Sequence, residues 1–348
     1  MTLKELRYFP IVSALPFPLV TSVGVLKTKK GFILAATNDK GVTYFGEAAP
    51  LPIFSDETIA ETETSLNYIC EFFERKPFSD FSDILNLNIS PSVRFALESV
   101  FIQFAYANNP STGLFEELSF VNEIKVNAII GANTDNFRQT AETLISQGFE
   151  TIKLKIGAEE FGKDLDKIKL LNDISGGKAK LRIDVNGKWN FREAEKKLSK
   201  LENLNIEYVE EPVRDASKII SLAKDSPVPL AFDESLKSFD HAFNLLTNRE
   251  VKRFVIKPSK LGGLIRLFEF IKSAERVGKF VIISSSLETV VGKSVLAFAA
   301  AAVNRGLAHG LGVTSEFSDA NISDPFPIAN GKIKIDNFPA DFSELQTR

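Results

Sequence analysis

Polar and apolar positions follow two rhythms along the chain. Up to about residue 120, apolar-rich runs at 19–27, 31–37 and 42–46 are separated by Lys29-Lys30-Gly31 and Asn38-Asp39-Lys40-Gly41. Turn formers between β-like runs predict a meander. Two helical patterns follow: one over 57–75, with Thr58 and Glu61 spaced for its first turn, and one over 92–107, opened by Ser90-Pro91 and stopped by Asn108-Asn109-Pro110. Strands and then helices predict an α+β unit over residues 1–120.

From residue 121 short apolar runs alternate with amphipathic stretches. The runs are 124–130, 151–156, 181–185, 206–210, 230–233, 254–257, 280–284 and 307–310; the stretches include 135–147, 164–173, 192–201, 264–277 and 292–304. Such alternation predicts parallel β/α units. Eight of them close as a (β/α)8-type barrel over 121–315. An open doubly wound sheet is the competing arrangement, but no G-x-G-x-x-G follows any run. The tail, 316–348, with Pro325, Pro327 and Pro339, is expected to return and complete the α+β unit as a cap on the barrel.

Composition narrows the chemistry. The 348 residues are 44% hydrophobic and 25% charged, ordinary for a globular protein. Lys+Arg (42) minus Asp+Glu (45) gives −3, which lacks the basic excess of a general nucleic-acid or anionic-membrane binder. Cys70 is the single cysteine, so neither an internal disulfide nor a cysteine metal cluster can form. Residues 1–10 mix Lys4, Glu5 and Arg7 with apolar side chains, unlike a secretory leader. The longest apolar stretch, 295–303, is shorter than the ~20 residues of a membrane span. The expectation is a soluble cytoplasmic protein. His241 and His309 are its two histidines, and neither lies beside a nucleophile elbow.

The informative residues are charges where a buried parallel strand should be apolar. Lys153 and Lys155 are two apart in Thr-Ile-Lys-Leu-Lys-Ile and share one face of a strand. With Leu154 and Ile156 toward the helices, both lysines point into the barrel; taken alone, the pair fits a half-exposed edge strand equally well. The next three runs end in Asp184, Glu210 (followed by Glu211) and Asp233, spaced 26 and 23 residues apart, one β/α unit each time. They occupy equivalent positions at the C-terminal face, where barrel enzymes assemble their sites. Two like charges at ~4 Å repel by about 4 kcal/mol at an effective dielectric near 20, and a divalent cation removes that repulsion. An all-oxygen set favours Mg²⁺, or Mn²⁺ in its place, over zinc. Each acid alone would be read as a helix cap or surface pair; three in step are harder to explain that way.

The sixth run closes with Lys257, expected to face Lys153 and Lys155 across the barrel mouth. The seventh ends in Ser284-Ser285-Ser286, followed by Leu287 and Glu288, small polar groups suited to holding a carboxylate or simply making a turn. Arg182 shares a face with Asp184, either as a substrate contact or as a member of a structural ion pair. Gly262-Gly263 could mimic a phosphate-binding turn, though a plain strand-to-helix connection explains it too. Loops near 16–22 and 50–55 are candidate lids.

On the Lys153-x-Lys155 pair, the Asp184/Glu210/Asp233 set and Lys257, the sequence resembles the enolase superfamily in its muconate-lactonizing-like branch. Within that branch it is most similar to the o-succinylbenzoate synthases. The similarity rests on Gly46-Glu47-Ala48-Ala49-Pro50-Leu51-Pro52, on Ser92-Val93-Arg94-Phe95-Ala96-Leu97-Glu98, on 181–186 with Trp189, and on 283–288. The related dipeptide epimerases carry an acidic pair on the eighth strand, where this chain has His309-Gly310-Leu311-Gly312.

The resemblance implies a Mg²⁺-dependent dehydratase acting on a small carboxylate, succinyl-hydroxycyclohexadiene carboxylate, in menaquinone biosynthesis. It implies metal ligands Asp184, Glu210 and Asp233, with Lys155 as base, Lys153 beside it and Lys257 opposite. Ser284, Ser285, Leu287 and Arg182 are the substrate contacts to test. A lysine of ordinary pKa, about 10.4, needs roughly 3–5 kcal/mol of environmental bias to serve as base near neutrality. An N-acylamino acid racemase uses the same two-sided lysines, and a non-catalytic barrel is the reading from another class.

Overall fold

The structure, a computed structural model, describes residues 3–21, 24–52, 54–75, 82–109, 113–303, 306–318 and 321–345. Ser22 and Ile53 of the two candidate lids, Pro110 and Asn304 lie outside the described residues. Three strands open the chain: β1 (Leu3–Thr21), β2 (Gly24–Asn38) and β3 (Thr43–Ala48). The β2–β3 turn falls at Asn38, as expected, and its side-chain oxygen accepts from the Lys40 and Val42 amides.

The expected turn at Lys29-Lys30-Gly31 does not exist. These residues lie inside β2, paired with Ser13, Val12 and Ile11 of β1, and the chain reverses between Thr21 and Gly24 instead. Lys29, expected in that turn, is buried beside Glu47 of β3, at 3.6 Å. A buried counterion allowed a lysine onto the inner face of a strand.

Helices α1 (Ile59–Arg75), α2 (Ser82–Leu85) and α3 (Pro91–Asn108) follow. At the start of α1, the Thr58 amide donates to Glu61 and the Glu61 amide to the Thr58 hydroxyl, a reciprocal cap. α3 is buried over most of its length between β3 and the barrel.

The run 124–130 divides into β4 (Glu123–Lys125) and β5 (Ala128–Ile130). Beyond it come α4 (Phe137–Ser146), β6 (Thr151–Lys155), α5 (Phe161–Ser175), β7 (Lys180–Asp184) and α6 (Phe191–Leu198). Next are β8 (Ile206–Glu210), α7 (Ala216–Ala223), β9 (Leu230–Phe232), α8 (Phe239–Leu245) and β10 (Arg253–Ile256). α9 (Pro258–Leu261), α10 (Ile265–Arg276), β11 (Phe280–Ile283) and α11 (Val290–Ala301) complete the alternation. Strands β5 to β11 form one parallel sheet in chain order.

The eighth expected strand is reduced to two parallel bridges, Val126 with His309 and Ser284 with Gly310, which join the two edges of the curled sheet. A Cβ on Gly312 would stand 2.0 Å from the Asn127 carbonyl oxygen, so closure needs glycine there. The architecture is thus a curled parallel barrel under an antiparallel cap.

The tail contributes β12 (Glu316–Phe317), which pairs with β1, and β13 (Ile328–Ala329) with β14 (Lys332–Lys334), which pairs with β4. Among the described residues no helix is long and apolar enough to cross a membrane.

Cap and barrel are joined by a buried carboxylate. Glu98 of α3 accepts from the Leu264 and Ile265 amides at the start of α10, so it fills the helix N-terminus that Gly262-Gly263 left open to an anion. A Cβ on Gly263 would lie 2.4 Å from the Glu98 oxygen, at a φ of +118°.

Two outcomes are expected. Gly263→Ala should destabilise the fold by about 2 kcal/mol or more, read by urea denaturation; an unchanged midpoint would contradict the interlock. His309 is buried, accepts from the Ile283 amide, and is held neutral down to about 3 by burial and then by Arg182. Its folded pKa lies below the ordinary 6.5, so this stability is present above 6.5 and is lost as the pH falls toward 3. Wild-type Tm should therefore drop more steeply than that of His309→Gln below pH 6.5; parallel curves would refute the assignment.

Candidate active site

Strand register sets the site. Lys155 of β6, Asp184 of β7 and Glu210 of β8 are lateral partners at one level of the sheet. Glu210 pairs with Ala231 of β9, so Asp233 stands two residues further toward the mouth. Because side chains alternate, Lys153, Lys155, Asp184 and Glu210 share the inner face while Leu154, Ile183 and Val209 enter the outer core. Asp184, Glu210 and Asp233 are all buried.

Ammonium groups thread these carboxylates. Lys153 Nζ lies 2.6 Å from Glu210 Oε1 and 2.9 Å from Asp184 Oδ2, and Lys155 Nζ lies 3.2 Å from the same Asp184 oxygen. On the other side Lys257 Nζ is 2.6 Å from Asp233 Oδ2 and 3.5 Å from Glu234 Oε1. Side-chain exposure separates the lysines: 10% for Lys153, 20% for Lys257 and 35% for Lys155. Lys155 is the one most open to a ligand.

The electrostatics follow from that packing. Burial works to raise Asp184, but Lys153 and Lys155 outweigh it and hold its carboxyl below the usual range. Burial likewise opposes ionisation of Asp233, and Lys257 overcomes it. Glu210 goes the other way: burial, with Asp184 and Asp233 adding, pushes it well above the ordinary value despite Lys153. Burial alone would lower Lys153 and Lys257, yet their carboxylates raise both, so both stay charged.

Two residues not assigned a role from the sequence complete the ring. Asn186, at a φ of +50°, accepts from Lys155 Nζ at 3.2 Å and donates to Glu234 Oε1 at 3.0 Å. Their signal was position, since each follows a strand-end acid within two residues. Glu211 faces away from Glu210; its Oε2 accepts from the Asp233 amide and the Ser235 hydroxyl, and burial pushes it up to about 8.

A cleft of ≈ 800 Å³, counting open solvent, lies above this ring. Lys153, Lys155, Asp184, Asn186, Glu234, Lys257 and Lys260 form its polar floor, with 284–287 on one wall. Phe17, Leu19, Leu51, Phe54, Ile129 and Val313 supply apolar surface, so both candidate lid segments border it.

Two expected contacts need correction. Arg182 does not reach the cleft. It is fully buried below Asp184, donating to Glu207 Oε2 at 2.6 Å and Asn127 Oδ1 at 3.0 Å, with its guanidinium 4.8 Å from the Tyr208 ring centre. Ser285 borders the cleft, but its hydroxyl donates to Glu288 Oε2 at 2.6 Å and accepts from the Leu287 and Glu288 amides. The Ser286 amide also goes to Glu288. The carboxylate these donors hold is the chain's own. Ser284 and Leu287 remain on the wall, Leu287 at a φ of +64°.

Among the described residues, no three His, Cys, Asp or Glu side chains already stand as a metal cage. The carboxylate oxygens are turned onto the lysines instead, while Glu210 Oε2 is buried with no hydrogen-bond partner among the described residues.

Comparison with known proteins places this geometry. Protein PHYLLO of Arabidopsis thaliana is 27% identical over 297 residues, 76% of this chain and 17% of that protein, so the chain spans only a small part of it. The L-Ala-D/L-Glu epimerase of Bacillus subtilis is 26% identical, covering 82% of this chain and 81% of the enzyme. The o-succinylbenzoate synthase of Photorhabdus laumondii is 28% identical, covering 78% of each. In fold, the substrate-liganded Bacillus subtilis epimerase superposes with a TM-score of 0.81 at 22% identity over 96% of each chain. The dipeptide epimerase of Enterococcus faecalis, a complex with Mg and L-Leu-L-Tyr, gives 0.79 at 19% identity over 96% of this chain and 97% of its own. The model of the family described as Enolase C-terminal domain-like matches residues 136–339. The chain belongs to the enolase superfamily, and its relatives support the muconate-lactonizing-like branch.

Proposed function

We propose that the protein is an o-succinylbenzoate synthase, removing water from succinyl-hydroxycyclohexadiene carboxylate. The observation that carries the reading is the placement of Lys155 and Lys257 on two sides of the buried carboxylates, open to one cleft. The eighth segment supports it further, because His309-Gly310-Leu311-Gly312 offers no acid to hold a substrate amino group.

Asp184, Glu210 and Asp233 would hold Mg²⁺, or Mn²⁺ in its place. The donor set fits: all oxygens, at the ends of successive strands, with Glu210 Oε2 buried and unpartnered. When bound, the ion supplies positive charge to the substrate carboxylate as the adjacent carbon loses its proton.

The chain's own residues do the rest. Lys155 takes the α-proton and leaves an enediolate. Lys257, kept charged by Asp233 and Glu234 although burial opposes it, faces that new negative charge. Lys153, bridging Asp184 and Glu210, fixes both carboxylates and adds positive charge beside Lys155. Asn186 orients the Lys155 amine. The β-hydroxyl then leaves with the proton Lys155 carries, so one water departs and the ring becomes aromatic. The apolar wall of Phe17, Leu19, Leu51 and Phe54 excludes solvent from the ring.

A second reading, N-acylamino acid racemase, draws on the same two-sided lysines: one removes the α-proton and the other returns it on the opposite face. The two activities can share one site.

Purified protein with Mg²⁺ should form the aromatic product, followed by ultraviolet absorbance, and a chelator should stop it. Lys155→Ala should cost at least roughly 10²–10⁴ in rate and abolish deuterium exchange at the α-carbon; wild-type turnover in that variant would remove Lys155 as base. Asp233→Asn should raise the Mg²⁺ concentration needed for half-maximal rate. With N-succinyl amino acids, exchange without any dehydration of the cyclohexadiene substrate would favour the racemase instead.

A further inference from the structure

Outside the reacting groups, a buried polar cluster lies behind the 284–288 turn. Lys29 of β2, Glu47 of β3, Glu288, Thr289 and Ser315 are all buried there. Lys29 Nζ donates to the Leu287 carbonyl at 2.7 Å, and the Ser315 hydroxyl donates to the same oxygen at 2.7 Å. Glu47 Oε1 stands 3.6 Å from Lys29 Nζ. Its Oε2 accepts from the Thr289 amide at 2.8 Å, the Thr289 hydroxyl at 2.6 Å and the Gly292 amide at 3.2 Å. The cap pair therefore grips both the turn and the start of α11.

That grip has a particular target. Leu287 holds a left-handed backbone, uncommon for a branched side chain, and lines the cleft. Its direction depends on where its carbonyl is tied. Lys29 lies at the other end on a special stretch of hairpin: β1–β2 register runs regularly to Ala14–Thr28 and then shifts before Leu19–Leu26. The residues on the far side of that shift include Leu19, and Phe17 lies within it; both line the cleft. One ammonium group thus ties the strand pair that leads into the apolar wall of the cap to the turn contributed by the barrel.

We propose that Lys29, beside Glu47, is a positioning residue that sets the spacing between the Phe17/Leu19 wall and the Leu287 turn, and so the fit of the apolar part of the substrate. This rests on the cleft being the substrate site of the proposed dehydratase. Serving stability alone would not require the tie to run to a residue that lines the cleft. A lysine is suited to this because its long apolar stem crosses the interface while its head satisfies a carbonyl that an apolar residue would leave with one donor.

The test uses the full-length double variant Lys29→Met/Glu47→Gln, which removes both charges and so leaves neither buried without a partner. It should remain folded, with KM for the cyclohexadiene substrate raised by roughly tenfold or more and kcat changed much less. Amide hydrogen exchange should quicken in the segments containing residues 14–19 and 284–289, and stay as in wild type in β8. A folded double variant with unchanged KM overturns the positioning role, as does exchange altered in only one of the two segments. If the wild type does not turn over that substrate, the proposed reaction falls by itself. Joint loss of protection in the two segments would then still uphold the link, and its absence would refute it.

Discussion

Everything at the barrel mouth depends on charge compensation between lysines and carboxylates taken out of water together. Three acids on neighbouring strand ends would repel strongly in a low-dielectric interior. Lys153 sits between Asp184 and Glu210, and Lys257 against Asp233, so the acids are ordered before any ligand arrives. The compensation is incomplete at Glu210, whose second oxygen has no partner among the described residues and whose carboxyl is pushed up by burial. That imbalance is what a divalent cation would relieve.

The cap repeats the device at its seam. Glu98 and Glu47, both buried, reach from α3 and β3 to the starts of α10 and α11. These helices follow the strands that lead to Lys257 and to the 284–287 wall. Buried carboxylates at helix N-termini gain from the helix dipole and from several amide donors at once. The seam therefore adds directional bonds to its apolar packing, and it ties the position of the cap to two barrel loops that border the cleft.

The site was legible wherever a charge broke an apolar rule. A buried parallel strand tolerates no polar end without a reason, so Asp184, Glu210, Asp233 and Lys257 stood out, and their one-unit spacing carried over into strand register. Charges hidden by a partner far away in sequence were not legible. Lys29 looked like part of a turn because its counterion, Glu47, is on another strand. Ser285 looked like a substrate donor because nothing local showed that Glu288 folds back onto it. α7 and α8, 8 and 7 residues long, carry barely two turns of periodicity, whereas α6 runs on into a 3-10 turn at Ser199–Leu201 that lengthens its pattern. The eighth strand survived only as bridges, since its glycines favour close approach over a regular ladder.

The central claim is that these compensated acids form one site for a divalent cation. Calorimetric titration of the purified chain with Mg²⁺ addresses it directly. The account predicts saturable binding of about one ion per chain, and loss of that binding in Asp184→Asn. Absence of saturable binding, or binding that is untouched by Asp184→Asn, would contradict it.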